Sequence, residues 1–488
     1  MIKNRASVTV KDLIIIFLFF LLPSFVTAQF SYSGSLNSRY ADSENNLGFN
    51  EHLFDLNFDF NDSDRSFQGW TQFEFSDPPE LGRPNQELRK LRLEYLTGNM
   101  TLKIGDIYEF WGMGMALNQV DDQAIDLDTG LRGLLFSYEN DFFKWTILKG
   151  KTHTSKITNL IDGYDERVPN FDTNHDMLGT NIEYNYENGM VGVNLMQTNE
   201  KHDSFDRFGA ISEKKIKHTM FGAYASFYIG NSSLFLEVLK KTSQEPTTNY
   251  DNEGTGLYSN LMLPIGDWSL LVEYKNYNFI KLSPLDKDNF INQFGYHADF
   301  INPPPGYYEH TTILNGRIAR QANINDEIGY QVKLSGPIGI NHTASINIAK
   351  ASQHQSWIQN DNYEWETDKA IEGIPSSKAF AIPYNEIFIN FDGNFFNHKL
   401  FYEIGWSSIK DVEYLFANRN LNNAPFRLHE LLNSQSIPLS LTYAMNDKHF
   451  LFDMGEKATC CMLPTIKSRL ESKGITLQPK ANNICEKF

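Results

Sequence analysis

Apolar and polar residues alternate along most of the chain from Phe30 onward. A period of two is the period of a β-strand, because successive side chains point to opposite faces of a sheet. In residues 52–60, one face carries Phe54, Leu56, Phe58 and Phe60, and the other carries Asp55, Asn57 and Asp59. The same alternation recurs in residues 90–95, 182–186, 328–334 and 400–406. The pattern predicts strands with one apolar and one polar face.

The connections between these strands alternate between short and long. Tight turns rich in Gly, Asn and Asp, which suit hairpins, are predicted at 61–65, 98–99, 140–141, 188–189, 230–231, 266–267, 336–337, 393–394 and 446–447. Longer polar connections lie between them, at 76–87, 108–130, 151–176, 200–216, 244–253, 280–325, 351–383 and 408–434. A transmembrane barrel has short turns at one end and long loops at the other, whereas a secreted soluble β-protein, the alternative, has no reason for that order. We therefore predict an all-β, transmembrane antiparallel up-and-down β-barrel of about 18–20 strands with long extracellular loops.

The two ends of the chain differ from this pattern. Basic residues precede an apolar run at 13–22, and small residues at 26–28 follow it, which is typical of a secretory signal. We predict a cleaved signal peptide at 1–28, with an uncleaved anchor as the alternative, and an outer-membrane β-barrel at 29–457. Residues 458–488 lack a strand-length alternation and are predicted to be an atypical tail foreign to the barrel. Outer-membrane lipid and the barrel-insertion machinery are the expected partners.

Composition narrows the class of partner. Of the 488 residues, 41% are hydrophobic and 14% aromatic, and the formal net charge is −17. This balance argues against disorder, and the chain has no Lys/Arg cluster that would neutralise phosphates, so nucleic acid is not an expected partner. The three cysteines all follow residue 459, which excludes a disulfide framework.

One stretch carries a family resemblance. Residues 103–117 read KIGDIYEFWGMGMAL, and residues 126–133 read DLDTGLRG. This stretch resembles an uncharacterised, porin-like family of outer-membrane β-barrel proteins from Bacteroidota, and the hairpin spacing extends the likeness more loosely over residues 30–456. The resemblance implies a barrel in the outer membrane. It supplies no substrate, no cofactor and no catalytic residue.

The same stretch is the candidate constriction. Period two breaks at Gly105, as a bulge or a strand leaving the sheet would cause. The acidic and basic residues that follow are Asp106, Glu109, Asp121, Asp122, Asp126, Asp128 and Arg132. They fit a loop folded into the lumen, with its acids facing Arg132 or a bound cation, and they fit a plain acidic external loop equally well. The spacing does not match a twelve-residue calcium loop.

The polar faces of the strands predict the lining of the lumen. Its acidic residues are Asp55, Asp59, Glu74, Glu94, Glu183, Glu237, Glu273 and Glu403. They outnumber the basic ones, which are Lys90, Arg92, Lys103, Lys275 and Lys333. An acidic wall in a confined channel favours cations. The alternative is that these charges pair across neighbouring strands and fill the lumen without a continuous pore.

Two functions fit these features. The first is a channel for small polar or cationic solutes, and the second is a non-transporting barrel that acts as a scaffold or surface-binding protein through its external loops. An enzyme is not expected, because no HExxH or GxSxG motif is present, although a Ser-His-polar triad could still form in space. No catalytic residue, cofactor site or metal site is predicted.

Overall fold

The protein is described by a computed structural model that covers most of the predicted barrel. The described residues are 29–42, 48–62, 65–77, 86–122, 127–156, 171–205, 211–246, 250–280, 298–307, 323–354, 357–359, 365–367, 373–378, 381–416, 427–446 and 449–462. Within these ranges, no helix is long and apolar enough to cross a membrane. The predicted signal peptide at 1–28 lies outside them.

The described chain is built from β-strands, as its alternation predicts. The first twelve are β1 Gln29–Ala41, β2 Phe49–Asp62, β3 Arg65–Asp77, β4 Gln86–Thr97, β5 Met100–Ile107, β6 Phe110–Trp111, β7 Leu117–Asn118, β8 Asp121–Asp122, β9 Leu127–Asp128, β10 Leu131–Glu139, β11 Phe143–Lys156 and β12 Phe171–Tyr186. The next thirteen are β13 Gly189–Phe205, β14 Ile211–Ile229, β15 Ser232–Glu245, β16 Tyr250–Ile265, β17 Trp268–Asn278, β18 Asp326–Pro337, β19 His342–Ser352, β20 Trp357–Gln359, β21 Trp365–Thr367, β22 Tyr384–Phe395, β23 Leu400–Phe416, β24 Arg427–Asn446 and β25 His449–Met462.

Nineteen of these strands form one sheet, and the other six form three short ribbons, β6–β7, β8–β9 and β20–β21. Neighbouring sheet strands run antiparallel and are paired in chain order, as in β13–β14, which pair from Gly189 opposite Phe227 to Phe205 opposite Ile211. Where a ribbon interrupts the order, the flanking strands pair directly, so β5 pairs with β10 and β19 with β22. The prediction of an all-β, antiparallel, up-and-down sheet of about 18–20 strands is confirmed.

By contact density the chain divides into two compact units. The first comprises residues 1–108 and 120–180, and the second comprises residues 109–119 and 181–488. The first unit therefore contains β1–β5, β8–β11 and the beginning of β12. The second contains the end of β12, the β6–β7 ribbon and the remaining strands.

Several of the predicted turns are found, and two are displaced. Gly98, Gly230 and Gly266 adopt positive φ of 51°, 60° and 61° at short turns, as predicted. The turns predicted at 336–337 and 393–394 are wrong, because these residues lie inside β18 and β22. The chain turns at 338–341 and 396–399 instead. In the second of these, Phe396, Asn397 and His398 take positive φ without any glycine, which a rule based on Gly and Asn pairs does not detect.

The two faces of the strands have opposite character to those of a water-soluble protein. On β13, Val191, Val193 and Leu195 are 39–44% exposed, whereas Asn194 and Glu200 are at most 2% exposed. We call these the apolar face and the polar face. The same arrangement places exposed apolar side chains on other strands, among them Leu236, Val238, Ile346, Ile348, Ile387 and Phe391. Polar side chains are buried and hydrocarbon is exposed, which reverses the usual distribution.

The last strand extends past the predicted boundary of the barrel. β25 ends at Met462, whereas the barrel was predicted to end at residue 457. Residues 463–488, which hold the rest of the predicted tail, lie outside the described residues.

Candidate functional site

In the first unit, a β-bulge aims two consecutive cations at the polar face. The β3–β4 register skips Arg89, since Gln72 lies opposite Lys90 and Phe73 lies opposite Leu88. A bulge re-aims the side chains around it, and here Arg89 and Lys90 are both buried, at 6% and 1% exposure. Arg89 donates to the Glu74 carboxylate at 2.7 Å. This buried ion pair holds one of the predicted lumen acids.

Lys90 contacts two acidic side chains of the predicted constriction. Its ammonium donates to the Asp121 carboxylate and lies 3.7 Å from that of Asp128. It also lies 5.1 Å from the centre of the Tyr108 ring, and the Tyr108 hydroxyl donates to Asp128 at 3.0 Å. Burial, and next the charge of Asp128, raise the pKa of Tyr108, so the phenol stays a donor. The β8–β9 ribbon is thus anchored on β4.

Asp106 is fixed by hydrogen bonds at the point where the alternation of apolar and polar residues breaks. Gly105 has φ +106°, and a Cβ there would lie 2.0 Å from the Leu91 carbonyl oxygen, so only glycine fits. Beyond it, Asp106 accepts hydrogen bonds from Arg132 at 2.9 and 3.0 Å and from the Leu91 backbone N–H at 2.7 Å. The Arg132 side chain remains 61% exposed. The predicted juxtaposition of an acid with Arg132 is therefore present for Asp106.

The other residues of the predicted constriction are Asp122, Glu109 and Asp126. Asp122 is exposed and lies opposite Leu127 in the β8–β9 ribbon. Glu109 belongs to the second unit, and Asp126 lies outside the described residues. In the described part of the chain, no group of His, Cys, Asp and Glu side chains is arranged to hold a metal ion.

In the second unit, the segment Glu109–Gln119 folds into a compact hairpin. The Gln119 backbone N–H donates to the Glu109 carbonyl at 3.0 Å, which closes the base of the segment. Trp111, Met115 and Leu117 are at most 2% exposed. We call this hairpin, built on the β6–β7 ribbon, the first inner segment.

Glu237 fixes the tip of the first inner segment. This carboxylate is fully buried on the polar face of β15 and accepts a 2.6 Å hydrogen bond from the Met113 backbone N–H. Gly112 adopts φ +59°, and a Cβ there would lie 2.6 Å from Glu237 Oε1. Positive φ favours glycine here, and the absence of a Cβ lets the chain approach the carboxylate this closely. Glu237 was predicted to line the lumen, and here it binds a loop.

A second inner segment, residues 298–307, packs beside the first. The Asn118 backbone N–H donates to the Phe300 carbonyl at 2.7 Å, and the Asn302 backbone N–H donates to the Gly114 carbonyl at 3.2 Å. Phe300 is fully buried. The two segments therefore form one hydrogen-bonded assembly on the polar face.

A buried ion pair anchors the second inner segment to the sheet. Lys275 of β17 and Glu327 of β18 are joined at 2.6 Å, and both side chains are 0% exposed. Lys275 also donates to the Pro305 carbonyl, and the Tyr277 hydroxyl donates to the Pro304 carbonyl at 2.9 Å. Because a buried ammonium needs several acceptors, this arrangement satisfies Lys275 and ties the segment down.

The other predicted lumen acids of the first unit are bound by neighbouring side chains or half-buried. Asp55 accepts a 2.9 Å hydrogen bond from Gln72, and Glu94 is ion-paired with Arg92 at 2.8 Å. Asp59 is half-buried on β2. Within this unit, the alternative of pairing across neighbouring strands describes Glu74, whose partner Arg89 lies on β4, whereas Glu94 is paired with Arg92 of its own strand.

In the second unit the remaining predicted acids mostly bind uncharged partners. Glu183 accepts a hydrogen bond from the Tyr224 hydroxyl at 2.7 Å, and Glu273 accepts one from the Tyr258 hydroxyl. Glu403 is exposed and accepts a 3.2 Å hydrogen bond from the side-chain amide of Asn390. Among the described residues, no cation is paired with Glu183, Glu273 or Glu403.

A Ser-His-carboxylate arrangement lies on β13–β15. His218 is hydrogen-bonded to Ser243 at 2.8 Å and to Glu200 at 2.7 Å. All three residues are 0% exposed. A nucleophile must reach its substrate, so this network acts here as a bridge between three strands.

Sequence reasoning missed Arg89 as the partner of Glu74 and Lys90 as the partner of the acidic stretch. Two adjacent cations in an otherwise alternating strand are the signal that could have revealed the bulge. It also missed the second inner segment and the residues that hold the first, because these contacts join residues far apart in the chain. The Trp-Gly-Met-Gly run at 111–114 is the local signal of the first.

A family model described as "Family of unknown function (DUF6029)" matches residues 10–451. No curated protein matches the chain. OccK5 (OpdH) of Pseudomonas aeruginosa is similar in structure, with 11% identity and a TM-score of 0.37 over 90% of this chain and 98% of that one. The outer membrane protein opdK of the same organism has 11% identity and a TM-score of 0.36 over 89% of this chain and 98% of that one. OmpT of Vibrio cholerae has 8% identity and a TM-score of 0.31 over 89% of this chain and 100% of that one. Identities and scores this low assign no activity.

Proposed function

Because this chain belongs to DUF6029, a family of unknown function, its role must be argued from its own residues, and we propose that it is a non-catalytic outer-membrane β-barrel channel for small polar or cationic solutes. The stretch at 103–117 supports an origin in Bacteroidota. A signal peptide at 1–28 would export the chain, and the barrel-insertion machinery would place it in the membrane.

The observation that carries the membrane location is the reversed polarity of the strands. Val191, Val193 and Leu195 expose hydrocarbon, while Asn194 and Glu200 on the same strand are buried. Exposed apolar rows of this kind are stable against lipid and unstable against water, because burial of apolar surface from water contributes about 25 cal/mol per Å². The polar face is then the face that solutes meet.

The inner segments support a narrowed passage. The first is held by Glu237, and the second is held by Lys275 and Glu327. Loops folded inward reduce the cross-section that remains for diffusion. Carboxylates without cationic partners favour the passage of cations over anions. The proposed solutes are therefore small and neutral or positively charged.

The same packing favours a second candidate, a non-transporting barrel whose loops bind a partner. Trp111, Met115 and Phe300 are at most 2% exposed, which shows how densely the inner segments are packed. If that packing leaves no continuous path, the protein acts as a scaffold.

Planar-bilayer recording separates the two candidates. Refolded protein whose migration on gels is heat-modifiable is inserted, and current is measured in potassium chloride. Discrete conductance steps are the expected result. Folded, inserted protein that gives no steps would favour the scaffold, and recovery of the protein in the soluble periplasmic fraction would contradict both candidates.

A further inference from the structure

In the second unit, strands β13, β14 and β15 carry their lysines toward one end only. Residues 189–196, 222–229 and 232–238, which lie next to the short turns, contain no Lys or Arg. The exposed lysines of these strands lie toward the opposite ends, at Lys201, Lys215, Lys217 and Lys240. We call these four residues the lysine group.

The lysine group stands on the apolar face, which is the face that meets lipid in the proposed barrel. Strand alternation puts Lys201 on the same side of β13 as Leu195, and Lys217 on the same side of β14 as Phe221. Lys240 of β15 lies directly opposite Phe221. The long lysine stems can therefore run along exposed hydrocarbon while their ammonium groups stay at its edge.

Three members of the lysine group are crowded together. Lys201 of β13 lies directly opposite Lys215 of β14, and Lys217 follows Lys215 on the same face. Like charges directly opposite each other on neighbouring strands destabilise a sheet. The arrangement is therefore unfavourable unless an anion lies between the ammonium groups.

Acidic residues of the chain compensate only part of this charge. Lys215 is paired with Glu213 at 3.0 Å, and Lys240 is paired with Glu253 at 3.0 Å. The other two lysines of the group form no ion pair with any side chain that the structure describes. Two ammonium groups are therefore available to an anion from outside the chain.

We propose that the lysine group binds the phosphate-bearing headgroup of a lipid whose acyl chains lie along the apolar face. Phosphate oxygens accept charge-assisted hydrogen bonds from ammonium groups, and each lysine offers three donors. A soluble anion would make no use of the exposed hydrocarbon of Leu195 and Phe221. This surface rests on the proposed function, in which the strand ends opposite the short turns face outward, so the lipid belongs to the outer leaflet.

Lipid A, a phosphorylated and acylated sugar, is the probe, and native mass spectrometry of refolded protein in detergent counts bound lipids and chains. We expect lipid A to bind the wild type, dephosphorylated lipid A to bind more weakly, and Lys201→Gln/Lys217→Gln to weaken lipid A binding by at least about tenfold. The variant Lys201→Arg/Lys217→Arg keeps both charges and should bind at least as tightly as the wild type. The control Lys144→Gln/Lys399→Gln removes two lysines beside short turns and should bind as the wild type does.

Several outcomes would overturn the lipid surface. These are unchanged lipid A binding by the Gln variant, an equal loss in the short-turn control, equal binding of dephosphorylated lipid A, and folded wild-type protein that binds no lipid A. A change in the number of chains per particle, with lipid binding unaltered, would assign the face to a second copy of the chain instead.

The same measurement separates the lipid surface from the channel. Conductance without lipid A binding overturns the lipid surface and supports the channel, and lipid A binding without conductance does the reverse. Heat-modifiable migration of every variant verifies folding.

Discussion

The Met113 backbone N–H donates a 2.6 Å hydrogen bond to the Glu237 carboxylate, although the two residues are 124 positions apart in the chain. Glu237 is fully buried, and Gly112 beside Met113 leaves no room for a Cβ. The first inner segment is therefore held at its tip by a charged side chain of the sheet. Hydrogen bonds to charged groups stabilise by about 1.5–3 kcal/mol.

Glu237→Ala removes this acceptor and should free the tip of the segment. We expect a larger and noisier single-channel conductance, because the segment then samples positions away from the polar face. Glu237→Gln is the matched control, since its amide oxygen can still accept from Met113. Equal conductance of the Ala and Gln variants would show that the bond does not position the segment.

Gly105→Ala should destabilise the first unit. The added Cβ meets the Leu91 carbonyl oxygen at 2.0 Å, and the backbone is at φ +106°, so we expect the free energy of unfolding to fall by about 3 kcal/mol. Gly98→Ala also has positive φ, at +51°, but its Cβ meets nothing within 4 Å. In this control variant the free energy of unfolding should fall by only about 1–2 kcal/mol. Urea unfolding in detergent measures both, and equal losses would contradict the steric account.

Lys275→Met should leave Glu327 buried without its cation. Breaking one side of a buried ion pair costs about 3–5 kcal/mol, whereas replacing both partners with apolar residues costs less. The double variant Lys275→Met/Glu327→Leu is therefore expected to be more stable than the single one. A double-mutant cycle of unfolding free energies tests this, and additive losses would exclude coupling between the two side chains.

The channel should pass potassium in preference to chloride. Across a gradient of potassium chloride, the reversal potential is expected to take the sign of a cation-selective pore, because Glu183, Glu273 and Glu403 have no cationic partner among the described residues. Selectivity should fall as salt rises, since the Debye length drops from about 10 Å at 0.1 M to about 3 Å at 1 M. Anion preference would contradict the assignment of the polar face to the solute path.

The sheet could be predicted from sequence because its signal is local. The alternation in residues 52–60 places Phe54 and Asp55 on opposite faces whatever the rest of the chain does. The bond between Met113 and Glu237 could not be predicted, because no periodicity relates a loop to a distant strand. The burial of Arg89 beside Lys90 was missed for a different reason. Strict alternation assigns adjacent residues to opposite faces, and a bulge is a departure from that rule.

The bulge at Arg89 also affects which single-residue insertions and deletions the sheet can accommodate. Loss of one residue from a regular strand such as β13 would turn every later side chain to the wrong face and present Glu200 to lipid. Loss of Arg89 would leave every other β3–β4 pair as it is, because the register already skips that position. Single-residue insertions and deletions are thus compatible with the sheet at this point of β4. Homologues without the extra residue should also lack the acid at position 74, whose buried charge would otherwise lose its cation.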